Sequence, residues 1–289
     1  MLLDDVNPTH EWFDESLSKA NDLSRLETYE SGDPDAIDPF VKERLGSSCG
    51  YLYKPLMKQL KQYPMPDIRV PEGHGKSLLD IGCMWGRWTI SARRKGYLAV
   101  GVDPGLEAAR AARRVATQLG ADPIHVVADG RNLPFKCGTF DVVYSYSVLQ
   151  HFERADALAC LEEIARVLAA SGTSLIQLAH RIGLISIVRS LRKRSGGSGF
   201  GRVKSWSIPE MQREFGRIIG PTRTFVDGFF TLNPQTTDLQ LLPFKSRAVT
   251  RTSEFLRKTS TWAPFLKYVA DSIYVQSTPA EPAARTEAD

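Results

Sequence analysis

The sequence predicts an α/β fold built on a mostly parallel sheet, and three observations predict it. From Ser77 onward, short apolar runs alternate with longer amphipathic ones, the rhythm of strands joined by crossover helices. The run from Leu78 to Ile90, LLDIGCMWGRWTI, delivers an apolar strand into a turn with two glycines and then into an apolar helix start. Acidic residues, Asp80, Asp103 and Asp129, follow one another at or near the ends of the first three strands, the edge where open α/β sheets collect ligands.

Residues 1 to 75 read as an N-terminal helical extension carrying Trp12, Phe13, Leu23, Leu26 and Tyr29, interrupted by the turn clusters SGDPDAIDP and YPMPDIRVPEGHG. The core, 76 to 278, then begins. Its strands are expected at Ser77 to Ile81, Leu98 to Val102, Ile124 to Ala128, Phe140 to Ser145 and Ser174 to Ala179, with helices between them. An insertion follows at about 181 to 206, containing the flexible SGGSGFG. In SIPEMQREFG, Ser207 is placed to cap a helix, with Pro209 in its first turn and Glu210 three residues after the cap. A strand-like TRTFVDGFF, an amphipathic segment near 245 to 269 and a last strand, SIYVQS, complete the core, and residues 279 to 289 read as a disordered tail.

With 289 residues, 42% hydrophobic and 24% charged, the composition fits one elaborated domain. A net charge of +4 over this length does not predict nucleic-acid binding. The four cysteines, Cys49, Cys83, Cys137 and Cys160, form no CxxC pair, which argues against a zinc site or disulfide framework and for a reducing cytoplasm. No apolar run approaches the roughly 18 residues that span a bilayer, so a soluble protein is expected.

The chemistry sits at the strand ends. Gly82 lets the backbone turn close to a ligand, and Gly86 opens the helix. Asp80 separates this turn from a dinucleotide fingerprint, because pyrophosphate needs bare amides and is repelled by a carboxylate. A cationic ligand tolerates it. Asp103 lies 23 residues after Asp80, the spacing of an acid that accepts hydrogen bonds from ribose hydroxyls, and its alternative is a helix-capping role before Pro104. Asp129, in VVADGRNLPF, is a ligand contact or a turn residue before Gly130.

Taken with FDVVYSYSVLQHF, Phe140 to Phe152, these motifs resemble class I S-adenosylmethionine-dependent methyltransferases of the small-molecule type, over Leu78 to about Ala179. The departure is Met84, where that family often has glycine. The resemblance implies a doubly wound, mostly parallel, seven-stranded Rossmann-like sheet with an N-terminal helical cap and an insertion after the fifth strand. It places the methionine end of S-adenosylmethionine at Asp80, Gly82, Cys83, Trp85 and Gly86, with Ser145 and Tyr146 beside it. The ribose falls at Asp103 and Pro104, and the adenine at Asp129 and Gly130. Asp141, at the beginning of its strand, is read as structural, and Trp88 as core.

His151 and His180 are the candidate catalytic residues, imidazoles able to take a proton from an acceptor hydroxyl. The alternative is that both only hydrogen-bond locally while alignment of donor and nucleophile suffices. Ser145, Tyr146, Ser147 and Val148 stand where nucleobase and glutamine methylating relatives carry an Asn or Asp with two prolines and an aromatic, which argues against those acceptors. No metal site is predicted. The insertion carries Arg181, Arg189, Arg192, Lys193, Arg194, Arg202 and Lys204 with no acid among them. Such a basic amphipathic stretch meets an anionic substrate or membrane surface, or covers the core with its charges in water. With the N-terminal helices it is expected to form a lid over the acceptor pocket. Tyr51, Tyr53 and Lys54 either fold over the cofactor or pack on the sheet.

The expected activity is methyl transfer to a small-molecule or glycan acceptor, O-methylation first. A nicotinamide-dependent oxidoreductase and a non-catalytic cofactor-binding protein remain the alternatives.

Overall fold

The computed structural model describes residues 36–49, 53, 56–57, 60–185, 203–230 and 236–280. Its centre is one seven-stranded sheet in the order β3-β2-β1-β4-β5-β7-β6. The strands are β1 Ser77–Ile81, β2 Leu98–Asp103, β3 Ile124–Val127, β4 Phe140–Tyr146, β5 Leu168–Ala179, β6 Thr222–Gly228 and β7 Ser272–Ser277. β1 pairs in parallel with β2 and β4, β2 with β3, and β4 with β5, while β7 runs antiparallel to both β5 and β6. The order reverses between β1 and β4. That switch point opens a crevice at the carboxyl ends of the two strands, just where the glycine turn begins.

The described α-helices are α1 Pro39–Ser48, α2 Arg87–Arg94, α3 Leu106–Gln118, α4 Arg154–Val167, α5 Ile208–Ile218 and α6 Phe244–Thr259. The expected capping box is present at α5. Ser207 accepts from the Glu210 amide, and the Glu210 carboxylate accepts from the Ser207 amide at 2.7 Å. The amphipathic segment near 245–269 divides, because Pro264 starts a separate 3-10 turn, Pro264–Tyr268, after α6. β5 is longer than expected, since α4 runs directly into it at Leu168, and a register shift between Phe140 and Val142 absorbs the start.

Among the described residues three apolar clusters hold the fold. The first unites β1 to β5 with α4, α5 and β7 around Leu79, Val143, Ile164, Ile176 and Phe215. The second packs α1 and Tyr53, Leu56 and Tyr63 against Trp85 and α3. The third, around Trp88, Tyr97, Tyr144 and Tyr274, lies on the other side of β1 and β4. Asp38 caps α1 by accepting from the Phe40 amide at 2.8 Å, and its own amide donates to Tyr63 Oη at 3.1 Å. Tyr63 Oη in turn donates to Gln118 Oε1 at 2.7 Å, stitching the extension onto α3.

Asp141 confirms its structural reading. Its Oδ2 accepts from the Ser77 amide and from Ser77 Oγ, both at 2.8 Å, and so ties the beginnings of β1 and β4. The insertion leaves and returns at one place: Arg181 N donates to Trp206 O and Trp206 N to Ala179 O, at 2.9 and 3.0 Å. Its residues 186–202, like Tyr51, Lys54 and residues 1–35, lie outside the described residues. Of the tail expected from 279, residue 280 is bonded to the fold, Ala280 N donating to Ile219 O at 3.1 Å, and residues 281–289 lie outside the described residues.

Candidate functional site

The glycine turn is built as the sequence requires. Gly82 has φ +77°, and a Cβ there would stand 2.3 Å from Val148 Cγ2, so neither the backbone angle nor the space admits a side chain. Its amide and that of Cys83 both donate to Val102 O, at 2.7 and 3.0 Å, anchoring the turn to β2. Cys83 is buried, with its Cβ and Sγ over Gly101, where a side chain would approach them to 2.9 Å. Gly86, at φ +81°, is the N-cap of α2, and a Cβ on it would meet His125 Nε2 at 2.8 Å.

Asp80 ends up inside, 1% exposed. Oδ2 accepts from Thr89 Oγ1 at 2.7 Å, whereas Oδ1 is buried with no hydrogen-bond partner among the described residues. Desolvation pushes the pKa up to about 7, against the pull of the Thr89 hydroxyl and with a push from the Asp103 charge. A buried carboxylate oxygen without a donor is a costly feature, and it fits a ligand that brings a cation or an N–H to this point.

Asp103 stands at the end of β2, 8% exposed. Oδ1 accepts from the Gly105 amide at 3.0 Å and Oδ2 from the Met84 amide at 3.1 Å. Met84 reaches that position with φ +48° and turns its partly buried side chain into the second apolar cluster. Pro104 is exposed beside Asp103. Asp129 lies in the turn after β3, where it is paired with Arg131: Nη2 to Oδ2 is 2.6 Å, and the Arg131 amide donates to Oδ1 at 2.9 Å. These hydrogen bonds hold its pKa below the ordinary carboxylate value. Gly130 is buried against Ile81 and Cys160.

Four sequence expectations are corrected by the packing. Trp85, expected in the pocket wall, is fully buried and stacks on Tyr63 at 5.7 Å, because the extension covers it. Ser145 is also fully buried, and its hydroxyl donates to Ile81 O at 2.9 Å, joining β4 to β1. Tyr146 turns to the opposite face, where its ring meets Trp88 at 4.5 Å and its hydroxyl donates to Asp227 Oδ2 at 2.7 Å. His180 is 1% exposed and its Nδ1 lies 2.9 Å from Ala270 O, a core histidine whose pKa burial lowers.

His151 is different. It ends the 3-10 turn Leu149–His151 and is exposed, with desolvation lowering its pKa against a hydrogen bond to the Ser147 backbone. Gln150 fixes that turn: Nε2 donates to Ser147 Oγ at 2.7 Å, Oε1 accepts from Ala179 N at 2.7 Å, and its carbonyl accepts from Lys204 N at 2.8 Å. The returning end of the insertion thus lies against the residues next to His151.

Two acids at the late strands escaped the sequence reading. Asp227, at the end of β6, accepts from Arg69 Nη1 at 2.7 Å, Tyr146 Oη at 2.7 Å and Ser272 Oγ at 2.6 Å. Asp271 accepts from the Ile185 and Phe230 amides, both at 2.7 Å, and so clamps the loops after β5 and β6. The rule that singled out Asp80 and Asp103, an acid at the end of a strand, would have found Asp227; Asp271 precedes β7 and reaches the same edge because that strand runs antiparallel.

Among the described residues no group of three His, Cys, Asp or Glu side chains is placed to hold a metal ion. No described helix is long and apolar enough to cross a membrane.

Residues 78–172 match the family model described as a methyltransferase domain. Norajmaline N-methyltransferase of Rauvolfia serpentina is 33% identical over 116 residues, 38% of this chain and 39% of that protein, so the chain spans well under half the relative's length. An S-adenosylmethionine-dependent methyltransferase from Methanosarcina mazei aligns with a TM-score of 0.51 at 16% identity, over 73% of this chain and 95% of that one. A protein from Pyrococcus horikoshii OT3 aligns with a TM-score of 0.50 at 17% identity, over 84% and 92%. At these identities the structural likeness is one of fold. Residues 78–172, which hold the glycine turn and the three strand-end acids, thus match a methyltransferase domain, set in a sheet whose order reverses between β1 and β4.

Proposed function

We propose that the protein transfers a methyl group from S-adenosylmethionine to a small-molecule acceptor, a hydroxyl compound or glycan in the first instance. The observation that carries this reading is Asp80 Oδ1, a buried carboxylate oxygen at the switch point with no protein donor among the described residues. S-adenosylmethionine, when bound, would supply an electrophilic methyl on its sulfonium; an acceptor lone pair would bond to that methyl in line as the C–S bond breaks and the thioether leaves as S-adenosylhomocysteine. Asp80 holds the cationic methionine end, beside the turn that Gly82, Cys83 and Gly86 keep free of bulk. Asp103 accepts from the ribose hydroxyls while the Met84 and Gly105 amides hold it in place. Pro104 lies beside the sugar, and Asp129 and Gly130 border the adenine, with Arg131 orienting the Asp129 carboxylate. Ser145 and Tyr146 contribute through the position of the β4 end rather than through their hydroxyls, which are bonded elsewhere.

His151 takes the acceptor proton as the new bond forms. Its lowered pKa leaves it neutral, and therefore able to accept, at physiological pH. Gln150 fixes its turn and accepts from the Lys204 amide, where the insertion returns, and the arginines and lysines of the insertion favour an anionic acceptor. A second reading, an amine acceptor that needs no base, is favoured by the N-methyltransferase name of the relative.

Incubation with labelled S-adenosylmethionine and a host extract, followed by identification of the labelled product, tests the reading. Label on an oxygen supports the first form, and label on a nitrogen the second. Binding of a nicotinamide cofactor in place of S-adenosylmethionine would overturn both.

A further inference from the structure

The face formed by α6 and the 3-10 turn after it is apolar, aromatic and uncovered. Phe244 is 80% exposed, Phe255 68%, Trp262 91% and Phe265 69%. Around these rings the sequence from 244 to 269 places six basic residues and a single acid, Glu254. That acid is engaged with Arg257 and with Arg69, the latter at 3.6 Å. Only Thr250 and Ser253 of α6 are buried, so most of the helix surface faces outward. Aromatic rings of this size, exposed together, mark a surface that binds something.

The chain carries a complementary segment. Residues 1–35 contain ten acidic and two basic residues, a net charge of −8 in a protein of net +4, together with Trp12, Phe13, Leu17, Leu23, Leu26 and Tyr29. The point where this segment joins the fold is next to the exposed face. Ile37 and Val41 share an apolar cluster with Leu241 and Leu242, and Leu242 directly precedes Pro243, the N-cap of α6. α6 is about 24 Å long at 1.5 Å per residue, and 35 residues reach beyond its far end in any conformation from helix to extended chain.

We infer that residues 1–35 dock on the basic aromatic face of α6 and the Pro264–Tyr268 turn of their own chain, acids against Arg251, Lys258 and Lys267 and apolar side chains against Phe255, Trp262 and Phe265. The docked segment neutralises the positive excess of this face and removes the aromatic rings from water.

The test uses the full chain without cofactor. Acrylamide quenching of Trp262, obtained as the difference between the wild type and Trp262→Phe, is read in the wild type, in Asp14→Lys/Glu15→Lys, in Arg251→Glu/Lys258→Glu and in the quadruple variant. Docking predicts a shielded Trp262 in the wild type, at least twofold stronger quenching in each charge-reversed pair and restored shielding in the quadruple variant. A fully quenchable Trp262 in the wild type, or pairs that do not differ from it, overturns the inference. Shielding that appears only on adding vesicles containing phosphatidylserine also overturns it and assigns the face to an anionic lipid surface. Dilution from 50 to 0.5 μM leaves intramolecular docking unchanged; loss of shielding on dilution would overturn docking within one chain.

Discussion

Replacing Asp80 with Asn separates what the carboxylate does for the ligand from what it costs the fold. In the free protein the Asp80 pKa rises from 3.8 to about 7, chiefly by burial. A folded-state pKa above the unfolded one means that ionisation favours the unfolded chain, so the associated stability is complete below about pH 4 and is lost as pH rises through about 7. A shift of about three units corresponds to an upper limit on the order of 4 kcal/mol at pH 8. Asp80→Asn keeps an acceptor for Thr89 and carries no charge, so without cofactor it should resist urea better than the wild type, with an advantage that grows from pH 4 to pH 8. Cofactor binding should show the reverse. If the cationic end of S-adenosylmethionine binds the ionised form, wild-type affinity by calorimetry improves about tenfold between pH 6 and 8, as the ionised fraction rises from about a tenth to about nine tenths. Asp80→Asn binds more weakly, and its affinity lacks that Asp80-linked rise. A variant that binds S-adenosylmethionine as tightly as the wild type, or a wild-type affinity flat across this range, would refute the argument.

Gly82→Ala forces a side chain into left-handed backbone and onto Val148, and should lower stability by roughly 2–4 kcal/mol in urea denaturation while weakening cofactor binding. His151→Ala should cut turnover of a hydroxyl acceptor at least a hundredfold with cofactor affinity unchanged, and wild-type turnover should fall as pH drops below the ordinary histidine value; unchanged turnover would leave His151 without a proton-transfer role. His180→Ala should behave in the opposite way, losing about 2–3 kcal/mol of stability through the cavity and the abandoned Ala270 carbonyl, with the affinity for S-adenosylmethionine retained.

Strand positions were legible because a parallel sheet buried on both faces writes apolar runs of fixed length, and because acids cluster where such strands end. Asp80, Asp103 and Asp129 therefore announced themselves in order. What a linear motif does not state is the face each side chain takes. Alternation along β4 sends Tyr144 and Tyr146 together toward Trp88 and Tyr274, and Ser145 the other way into the seam with β1. Reading SYS as one contact surface missed that division. Trp85 and His180 were misplaced for a related reason: each directly follows a strand end or its turn in sequence, but a distant segment, the extension in one case and the Ala270 loop in the other, covers it. The partners of Asp227 show the limit again, since Arg69 lies 158 residues away.

Met84 is the position where the chain departs from a glycine-rich turn, and the geometry explains how the departure is tolerated. A left-handed residue other than glycine costs roughly 1–2 kcal/mol. In that conformation the Met84 amide points at Asp103 Oδ2, and a hydrogen bond to a charged group contributes about 1.5–3 kcal/mol, enough to offset the strain. The side chain then joins Ile37, Val41 and Leu242 in the second apolar cluster. Each Asp103 oxygen has accepted one amide and retains capacity for another donor, which is what two ribose hydroxyls require. Met84 thereby ties the turn into the cluster that the N-terminal extension also enters, so that the residue whose amide holds Asp103 and the segment joining residues 1–35 to the fold share one apolar cluster.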